Sequence, residues 1–356
     1  MKNHIIKVFI LILSLSVLAA CGSNSSNGKQ SANEKVKGEL TVYTAIEEEL
    51  IPEYLKSFEE QYPNVELNIV RDSTGVVTAK LLAEGENTKA DVVWGLAASS
   101  LLALEGKDLL KGYTPKGSEK VLPEYKDSEQ PEKWVGNTAF MTGVVVNTTE
   151  LKKRNLPNPK SYEDLSKPEY KGLIVMPHPA SSGTGYLTVN AWVQMMGEEK
   201  AWEYMSDLHE NIAAYTHSGS KPAKQAASGE YPIGISLVYS GVTQKQTGAP
   251  VEVIMPEEGL GWDVEANGLI NKENMKNEEA AKAFLDWAVS EDVMKKYYDA
   301  NGFSTMENDF EKPEGFPETV EDKMYKENDL KWAAKNRDSI LEKWESEFGG
   351  KAEPKE

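Results

Sequence analysis

From Gly38 onward, short β-rich runs alternate with segments of helical periodicity, and this alternation limits the possible folds more than any other feature. Leu40 to Tyr43 is typical of a strand, and segment 49–61 carries apolar residues at helical spacing. Segment 65–70 alternates as a second strand, and segment 74–84 returns to a helical pattern. This βαβ order indicates a parallel sheet whose ligand-binding loops lie at the carboxyl ends of the strands.

A second block of the same character follows the first. Phe140 to Asn147 is typical of a buried strand. Further strands are predicted at 173–176, 233–238 and 251–255, and helices at 186–196, at 201–210 and from 278 to a tail that ends with 329–348. With 356 residues, the chain is long enough for about two domains of roughly 150 residues each, so the blocks predict two α/β lobes.

The first twenty residues have the character of a signal peptide. Lys2 and Lys7 precede an apolar run, 8–20, which is shorter than the roughly 20 residues that a membrane-spanning helix needs. The run ends in Leu-Ala-Ala before Cys21, the only cysteine of the chain, and so resembles the lipobox of bacterial lipoproteins. Segment 21–37 is predicted to be a flexible tether, because it begins with mainly Ser, Asn, Gly and Lys.

These features predict an extracytoplasmic protein that is anchored to the outer face of the cell membrane through a lipidated Cys21. The alternative is an ordinary secretory signal followed by an incidental cysteine. After cleavage before Cys21 no other thiol would remain for a disulfide, a metal ion or a nucleophile.

The net charge excludes one class of partner. The chain has 39 basic and 57 acidic residues, a formal charge of −18, and removal of the signal peptide would give 37 − 57 = −20. Because nucleic-acid binding needs a basic face, we expect no nucleic-acid partner. An anionic ligand would therefore have to be attracted by groups close to its binding site, since the overall charge repels it. We expect the protein to be a monomer.

The segment between the predicted strand 173–176 and the following helix is the most informative motif. It contains Ser181, Ser182, Gly183 and Thr184, followed by a second glycine. Backbone N–H groups and the dipole at a helix start favour an anion, and glycine lets the anion approach the main chain. The alternative is ordinary capping of the helix by one hydroxyl group.

A second turn rich in hydroxyl groups, Thr216 to Pro222, also precedes a helical pattern. Its Ser218, Ser220 and Lys221 could enclose the same anion from another side. A surface turn with a solvated lysine is an equally good interpretation of Lys221 alone.

Loops that follow other predicted strands could face these two turns. In the first block, Glu47 is the acidic candidate for contact with a cationic group, because it lies nearest the end of its strand. The remaining candidates are hydroxyl, aromatic or acidic residues near strand ends: Thr44, Ser73, Thr74, Ser99, Tyr239, Trp262 and Asp263.

Catalytic motifs are not found. The chain has no Gly-x-Ser-x-Gly elbow, no phosphate-binding Walker loop and no zinc-type spacing of histidines. We therefore predict no catalytic residue, no metal site and no cofactor. A secreted hydrolase of phosphate esters is one alternative class of protein. It would need a nucleophile with a base or a metal cluster.

Together, the lipobox, the two α/β blocks and the helical tail resemble the solute-binding lipoproteins of bacterial ABC importers, which have the type 2 periplasmic binding protein fold. Within that family, segments 179–188 and 215–222 look like the 2-aminoethylphosphonate-binding branch, which is related to ferric-iron and sugar-phosphate binders. The resemblance implies two lobes, each a mixed sheet flanked by helices, with the ligand cleft at the hinge. The expected boundaries are 38–138 and 256–312 for lobe 1, 139–255 for lobe 2 and 313–356 for a C-terminal helical segment.

The resemblance implies a receptor without enzymatic activity, which closes over 2-aminoethylphosphonate or a similar small phosphonate and delivers it to a membrane permease. Ferric iron, a sugar phosphate or another phosphate ester are the alternative ligands. Ferric binders of this group carry adjacent tyrosines where this chain has Tyr239 followed by Ser240, so iron is the weaker expectation. The chain crossings at the hinge are expected near 137–140 and 255–261.

Overall fold

The computed structural model describes residues 32–317 and 320–354. The predicted signal peptide, Cys21 and most of the predicted tether lie outside these residues. The strands are β1 (Gly38–Thr44), β2 (Val65–Arg71), β3 (Val92–Ala97), β4 (Leu110–Lys111), β5 (Val135–Asn147), β6 (Ile174–Pro177), β7 (Ile212–Thr216), β8 (Ile233–Leu237), β9 (Val251–Ile254) and β10 (Trp262–Ile270). Within the described ranges, no helix is long and apolar enough to cross a membrane.

The α-helices flank these strands. They are α1 (Ala32–Lys35), α2 (Ile51–Gln61), α3 (Thr74–Glu84), α4 (Ala98–Glu105), α5 (Thr148–Lys153), α6 (Tyr162–Leu165), α7 (Gly183–Met196), α8 (Glu198–Asn211), α9 (Lys221–Ser228), α10 (Val238–Gln246), α11 (Glu278–Ala288), α12 (Glu291–Asn301), α13 (Val320–Lys323) and α14 (Leu330–Phe348). Most bounds agree with the sequence pattern to within three residues.

The strands form a mixed sheet in the order β2-β1-β3-β10-β5-β8-β6-β7, with β4 paired to β10 and β9 paired to β5. β1 is parallel to β2 and β3, and β6 is parallel to β7 and β8. β5 and β10 run antiparallel to their neighbours. The expected parallel pairing therefore holds for β1 with β2 and β3 and for β6 with β7 and β8, whereas β5 and β10 add antiparallel pairs to each lobe and make the sheet mixed.

β5 joins the two lobes. All thirteen of its residues are buried. Its first part, 135–141, pairs with β10, and its second part, 142–146, pairs with β8. A single strand thus crosses from one half of the sheet to the other at about residue 141, close to the expected crossing at 137–140.

Each half of the sheet has its own hydrophobic cores. On one side, Trp94, Phe284 and Trp287 pack with residues of β1, α2 and α11. On the other, Trp192 and Trp202 pack with residues of β6, β7 and α14. The separate cores support two lobes, while the exact boundaries predicted from the sequence stay a prediction.

One loop assignment is wrong. Trp262 and Asp263 were expected in a turn after a strand, but they open the nine-residue strand β10. β10 pairs with β3 on one edge and with β5 on the other. The alternating pattern of a strand with one exposed face does not apply to a strand that is paired and covered on all sides, so periodicity alone could not identify it.

A polar cleft where four helices begin

A small polar cavity of about 40 Å³ lies between the two lobes. It is located at the carboxyl ends of β1, β2 and β3 and beside the start of α7. Its lining residues are Ala45, Glu47, Arg71, Ser73, Thr74, Gly95, Ala97, Phe140, Ser182, Gly183, Thr184, Ser218, Gly219, Leu237, Tyr239 and Glu265. Both lobes therefore contribute to one site.

Four helices begin at this cavity. The lining includes residues at the starts of α3 (Ser73, Thr74), α4 (Ala97), α7 (Ser182 to Thr184) and α10 (Leu237, Tyr239). None of the four helices has an acidic residue in its first turn. In this region of the lining, the partial positive charges of the helix starts are therefore not offset by acidic residues of their own first turns. Such a region favours an anion.

The starts of α3 and α7 are in direct contact. The Gly75 N–H donates a hydrogen bond of 3.0 Å to the Ser181 carbonyl. A Cβ atom at Gly183 would lie 2.6 Å from the Thr74 Cβ, and one at Gly75 would overlap the Ala180 carbonyl oxygen. Glycine at both positions therefore allows the lobes to approach each other closely.

The second hydroxyl-rich turn closes the cavity from the side of α9. Ser218 and Gly219 belong to the lining. Ser236 Oγ donates a hydrogen bond of 2.7 Å to the Gly219 carbonyl, and Ser218 Oγ lies 3.1 Å from Ser220 Oγ. A Cβ atom at Gly219 would overlap Thr184 Oγ1, so the backbone of this turn lies directly against the start of α7.

Two carboxyl groups line the cavity as well. Glu47 forms a 3.3 Å ion pair with Arg71, whose Nε donates to the Ile46 carbonyl. Burial, together with the negative charge of Glu47, raises the pKa of Glu265 to about 8. Tyr239 is the one phenol of the lining, and burial raises its pKa well above the ordinary value. The site thus combines helix starts, which favour an anion, with two carboxyl groups that could contact a cation or a hydroxyl group.

Of the fifteen ligand-binding residues predicted from the sequence, eight line the cavity. These are Glu47, Ser73, Thr74, Ser182, Gly183, Thr184, Ser218 and Tyr239. The other seven predicted residues do not belong to the lining: Thr44, Ser99, Ser181, Ser220, Lys221, Trp262 and Asp263.

Contacts explain the positions of several residues in the second group. Lys221 Nζ lies 2.5 Å from Glu353 Oε2. Trp262 Nε1 donates to the Tyr325 carbonyl at 2.9 Å. Asp263 is 2 % exposed and accepts a hydrogen bond of 2.5 Å from Ser99 Oγ. Burial raises the pKa of Asp263 to about 6, although its hydrogen bonds from Ser99 and Val264 oppose the shift. In this structure, these side chains hold neighbouring elements together.

Glu265 is the main lining residue that sequence reasoning missed. It lies two residues after Asp263 on β10, and alternate residues of a strand project to the same side. Recognising β10 as a strand would therefore have placed both carboxyl groups on one face. Within the described ranges, no group of three or more His, Cys, Asp or Glu side chains is arranged to hold a metal ion.

Comparisons with known proteins identify relatives of this chain. An uncharacterised protein of Haemophilus influenzae is 29% identical over 341 residues, which are 94% of this chain and 97% of that protein. The Fe(3+)-binding periplasmic protein of Serratia marcescens is 22% identical over 286 residues, 78% of this chain and 79% of that protein.

A solved structure is also similar. The periplasmic binding protein AfuA of Actinobacillus pleuropneumoniae, with fructose-6-phosphate bound, superimposes with a TM-score of 0.82 at 28% identity. The superposition covers 88% of this chain and 99% of AfuA. It confirms the predicted α/β fold of the periplasmic binding proteins, with a mixed sheet flanked by helices.

The family model for bacterial extracellular solute-binding proteins matches residues 87–333, well over half of the chain. Proteins of this family bind small ligands outside the cytoplasm and interact with ABC permeases. The chain therefore belongs to the family of bacterial extracellular solute-binding proteins.

Proposed function

We propose that this receptor binds a small phosphonate that carries a protonated amine, of which 2-aminoethylphosphonate is the simplest candidate, and delivers it to an ABC permease. The observation that carries the proposal is that four helix starts without acidic residues in their first turns line the same cavity as Glu47 and Glu265. The phosphonate would accept hydrogen bonds from the helix starts. The ammonium group would lie against the two carboxyl groups.

The chemistry of both ends supports a short zwitterion. Four residues of the lining supply hydroxyl donors: Ser73, Thr74, Ser182 and Thr184. Arg71 already neutralises part of the Glu47 charge, so Glu265 is the carboxyl group with the greater need of a cationic partner. The small volume of the cavity favours a ligand of few atoms.

A sugar phosphate is the second candidate. A further cavity of about 220 Å³ shares Glu47 and Tyr239 with the central one and would accommodate a larger substituent. The AfuA structure contains fructose-6-phosphate. In this case, Glu47 and Glu265 would accept hydrogen bonds from sugar hydroxyl groups instead of an ammonium group.

Titration calorimetry with 2-aminoethylphosphonate, ethylphosphonate, fructose-6-phosphate, inorganic phosphate and ferric citrate tests the proposal. We expect the aminophosphonate to bind more tightly than the other four. Tighter binding of fructose-6-phosphate would establish the second candidate, and preference for ferric citrate would contradict both. Release of phosphate from fructose-6-phosphate would instead indicate the hydrolase class.

The affinity for the aminophosphonate should depend on pH through Glu265. The carboxyl group has a pKa of about 8 in the free protein, and a bound ammonium group would lower that pKa. Binding therefore releases a proton below pH 8, and affinity should rise between pH 6 and pH 8 and level off above. Calorimetry of the wild type and of Glu265→Gln measures the effect.

The ratio of the two affinities isolates Glu265, because ionisation of the ligand itself is common to both proteins. We expect the ratio of wild-type affinity to variant affinity to increase roughly tenfold or more from pH 6 to pH 8. A ratio that stays constant across this range would show that the amine does not contact Glu265.

We also propose that Cys21 carries the lipid anchor. The proposal rests on the position of Cys21 between an apolar run and a polar segment. Cys21→Ala should move the protein from the membrane fraction to the soluble fraction, while the affinity of the purified protein for its ligand stays unchanged. Retention of the variant on washed membranes would contradict lipidation at this residue.

A further inference from the structure

The chain after α14 lies beside β7 and contacts it through a single β-bridge. Ala352 makes this parallel bridge with Tyr215, and the Glu353 N–H donates a hydrogen bond of 2.9 Å to the Tyr215 carbonyl. This contact lies one residue before the end of β7, where the chain enters the turn of residues 216–222. We refer to residues 352–354 as the C-terminal segment.

Glu353 connects the C-terminal segment to that turn by three contacts. Its Oε1 accepts a hydrogen bond of 2.6 Å from the His217 N–H, and its Oε2 lies 2.5 Å from Lys221 Nζ. Its carbonyl oxygen lies 3.1 Å from His217 Nε2. Both ends of the segment that contains Ser218 and Gly219 are thus held by one residue.

His217 extends the connection to the other hydroxyl-rich turn. A carbonyl oxygen can only accept, so His217 Nε2 carries the proton that bonds to Glu353. In the neutral ring, Nδ1 is then an acceptor, and it lies 3.2 Å from Ser181 Oγ. The C-terminal segment, the turn at 216–222 and the start of α7 therefore form one hydrogen-bonded unit beside the cavity.

We infer that Glu353 is a positioning residue of the ligand site, which holds the turn at 216–222 in its binding conformation before the ligand arrives. The inference rests on the proposed function, because the turn is taken to contact the ligand through Ser218 and Gly219. Ordering a flexible turn on binding would reduce affinity, whereas a turn that is ordered in advance avoids this cost.

Glu353 is well suited to the role, and its ionisation is consistent with it. Its side chain is 16% exposed, which shields the ion pair with Lys221 from part of the solvent screening. Burial raises the pKa of the Glu353 carboxyl, but the Lys221 ammonium and the His217 N–H outweigh burial and lower it. The carboxylate is therefore charged at neutral pH and able to accept both contacts.

The inference also reassigns Lys221, which the sequence suggested as a direct ligand of the anion. In the structure, its ammonium group contacts Glu353. If Lys221 acts through Glu353, removal of either residue should have the same effect, and removal of both should add little. If Lys221 binds the ligand directly, the two effects should multiply.

The experiment compares Glu353→Ala, Lys221→Met, the double variant and Glu347→Ala. Glu347 is an exposed acid near the same end of the chain and serves as the matched control. Hydrogen exchange of the turn is measured without ligand, and affinity for 2-aminoethylphosphonate is measured by calorimetry. Thermal unfolding of each free variant verifies that it is folded.

For Glu353→Ala, we expect exchange of the His217 amide to accelerate and affinity to fall roughly tenfold, with little further loss in the double variant. Glu347→Ala should match the wild type in both measurements. Unchanged exchange in Glu353→Ala, or losses that multiply in the double variant, would overturn the inference. Failure of the wild type to bind the aminophosphonate would contradict the proposed function, while exchange of the free protein would still decide whether Glu353 orders the turn.

Discussion

Gly75→Ala is expected to reduce ligand affinity by at least about a hundredfold while leaving the free protein as stable as the wild type or more so. Gly75 lies in the first turn of α3, where alanine favours the helix by about 1 kcal/mol. In the arrangement of the lobes that the structure shows, which we propose is the closed one, the new Cβ would overlap the Ala180 carbonyl and lie 2.7 Å from the Ser181 carbonyl carbon. These are backbone atoms that cannot rotate away, and a cost of about 3 kcal/mol corresponds to the expected loss of affinity.

The result depends on closure of the lobes around the ligand, which we propose from the contact between the starts of α3 and α7. Calorimetry gives the affinity, and X-ray scattering with and without ligand reports compaction. The matched control is Gly106→Ala, since Gly106 has φ −60 and its added Cβ would make only ordinary 3.6 Å contacts. Wild-type affinity in Gly75→Ala would show that the ligand is held without this approach of the two helices.

Thr184→Val should weaken binding of every phosphonate about ten- to a hundredfold. Valine preserves the shape of Thr184 but removes the hydroxyl, and a hydrogen bond to a charged group contributes about 1.5 to 3 kcal/mol. Thr184 lines the cavity in the first turn of α7 and is 6 % exposed. Because the lost bond is to the phosphonate, 2-aminoethylphosphonate and ethylphosphonate should lose the same factor.

Thr188→Val provides the matched control for this variant. Thr188 lies one turn later on α7 and is 1 % exposed, and its Oγ1 donates to the Thr184 carbonyl at 2.8 Å. Its substitution should lower the melting temperature without changing affinity. If Thr184→Val binds both phosphonates as tightly as the wild type, the start of α7 is only a capped helix end and the anion lies elsewhere.

Local features of the sequence were sufficient for most of the elements and for the hydroxyl-rich turn before α7. Most strands and helices in each lobe follow from periodicity, with β10 as the exception. The composition of the segment 181–184 predicts an anion-binding helix start, because the chemistry of such a site resides in consecutive backbone N–H groups and small residues, and the structure places Ser182 to Thr184 of this segment in the lining of the cavity. The lipidation motif at Cys21 is likewise predicted from neighbouring residues alone, namely the apolar run before it and the polar segment after it.

Tertiary structure alone decided which side chains meet. Glu265 joins Glu47 only because β10 returns to the first lobe between β3 and β5. Glu353 meets His217 across 136 residues, and this contact withdraws Lys221 from the place that its neighbours in sequence suggested. The spacing of neighbouring residues in the sequence does not predict such contacts. They depend on strand order and on the docking of the chain after α14, which bring together residues that are far apart in sequence.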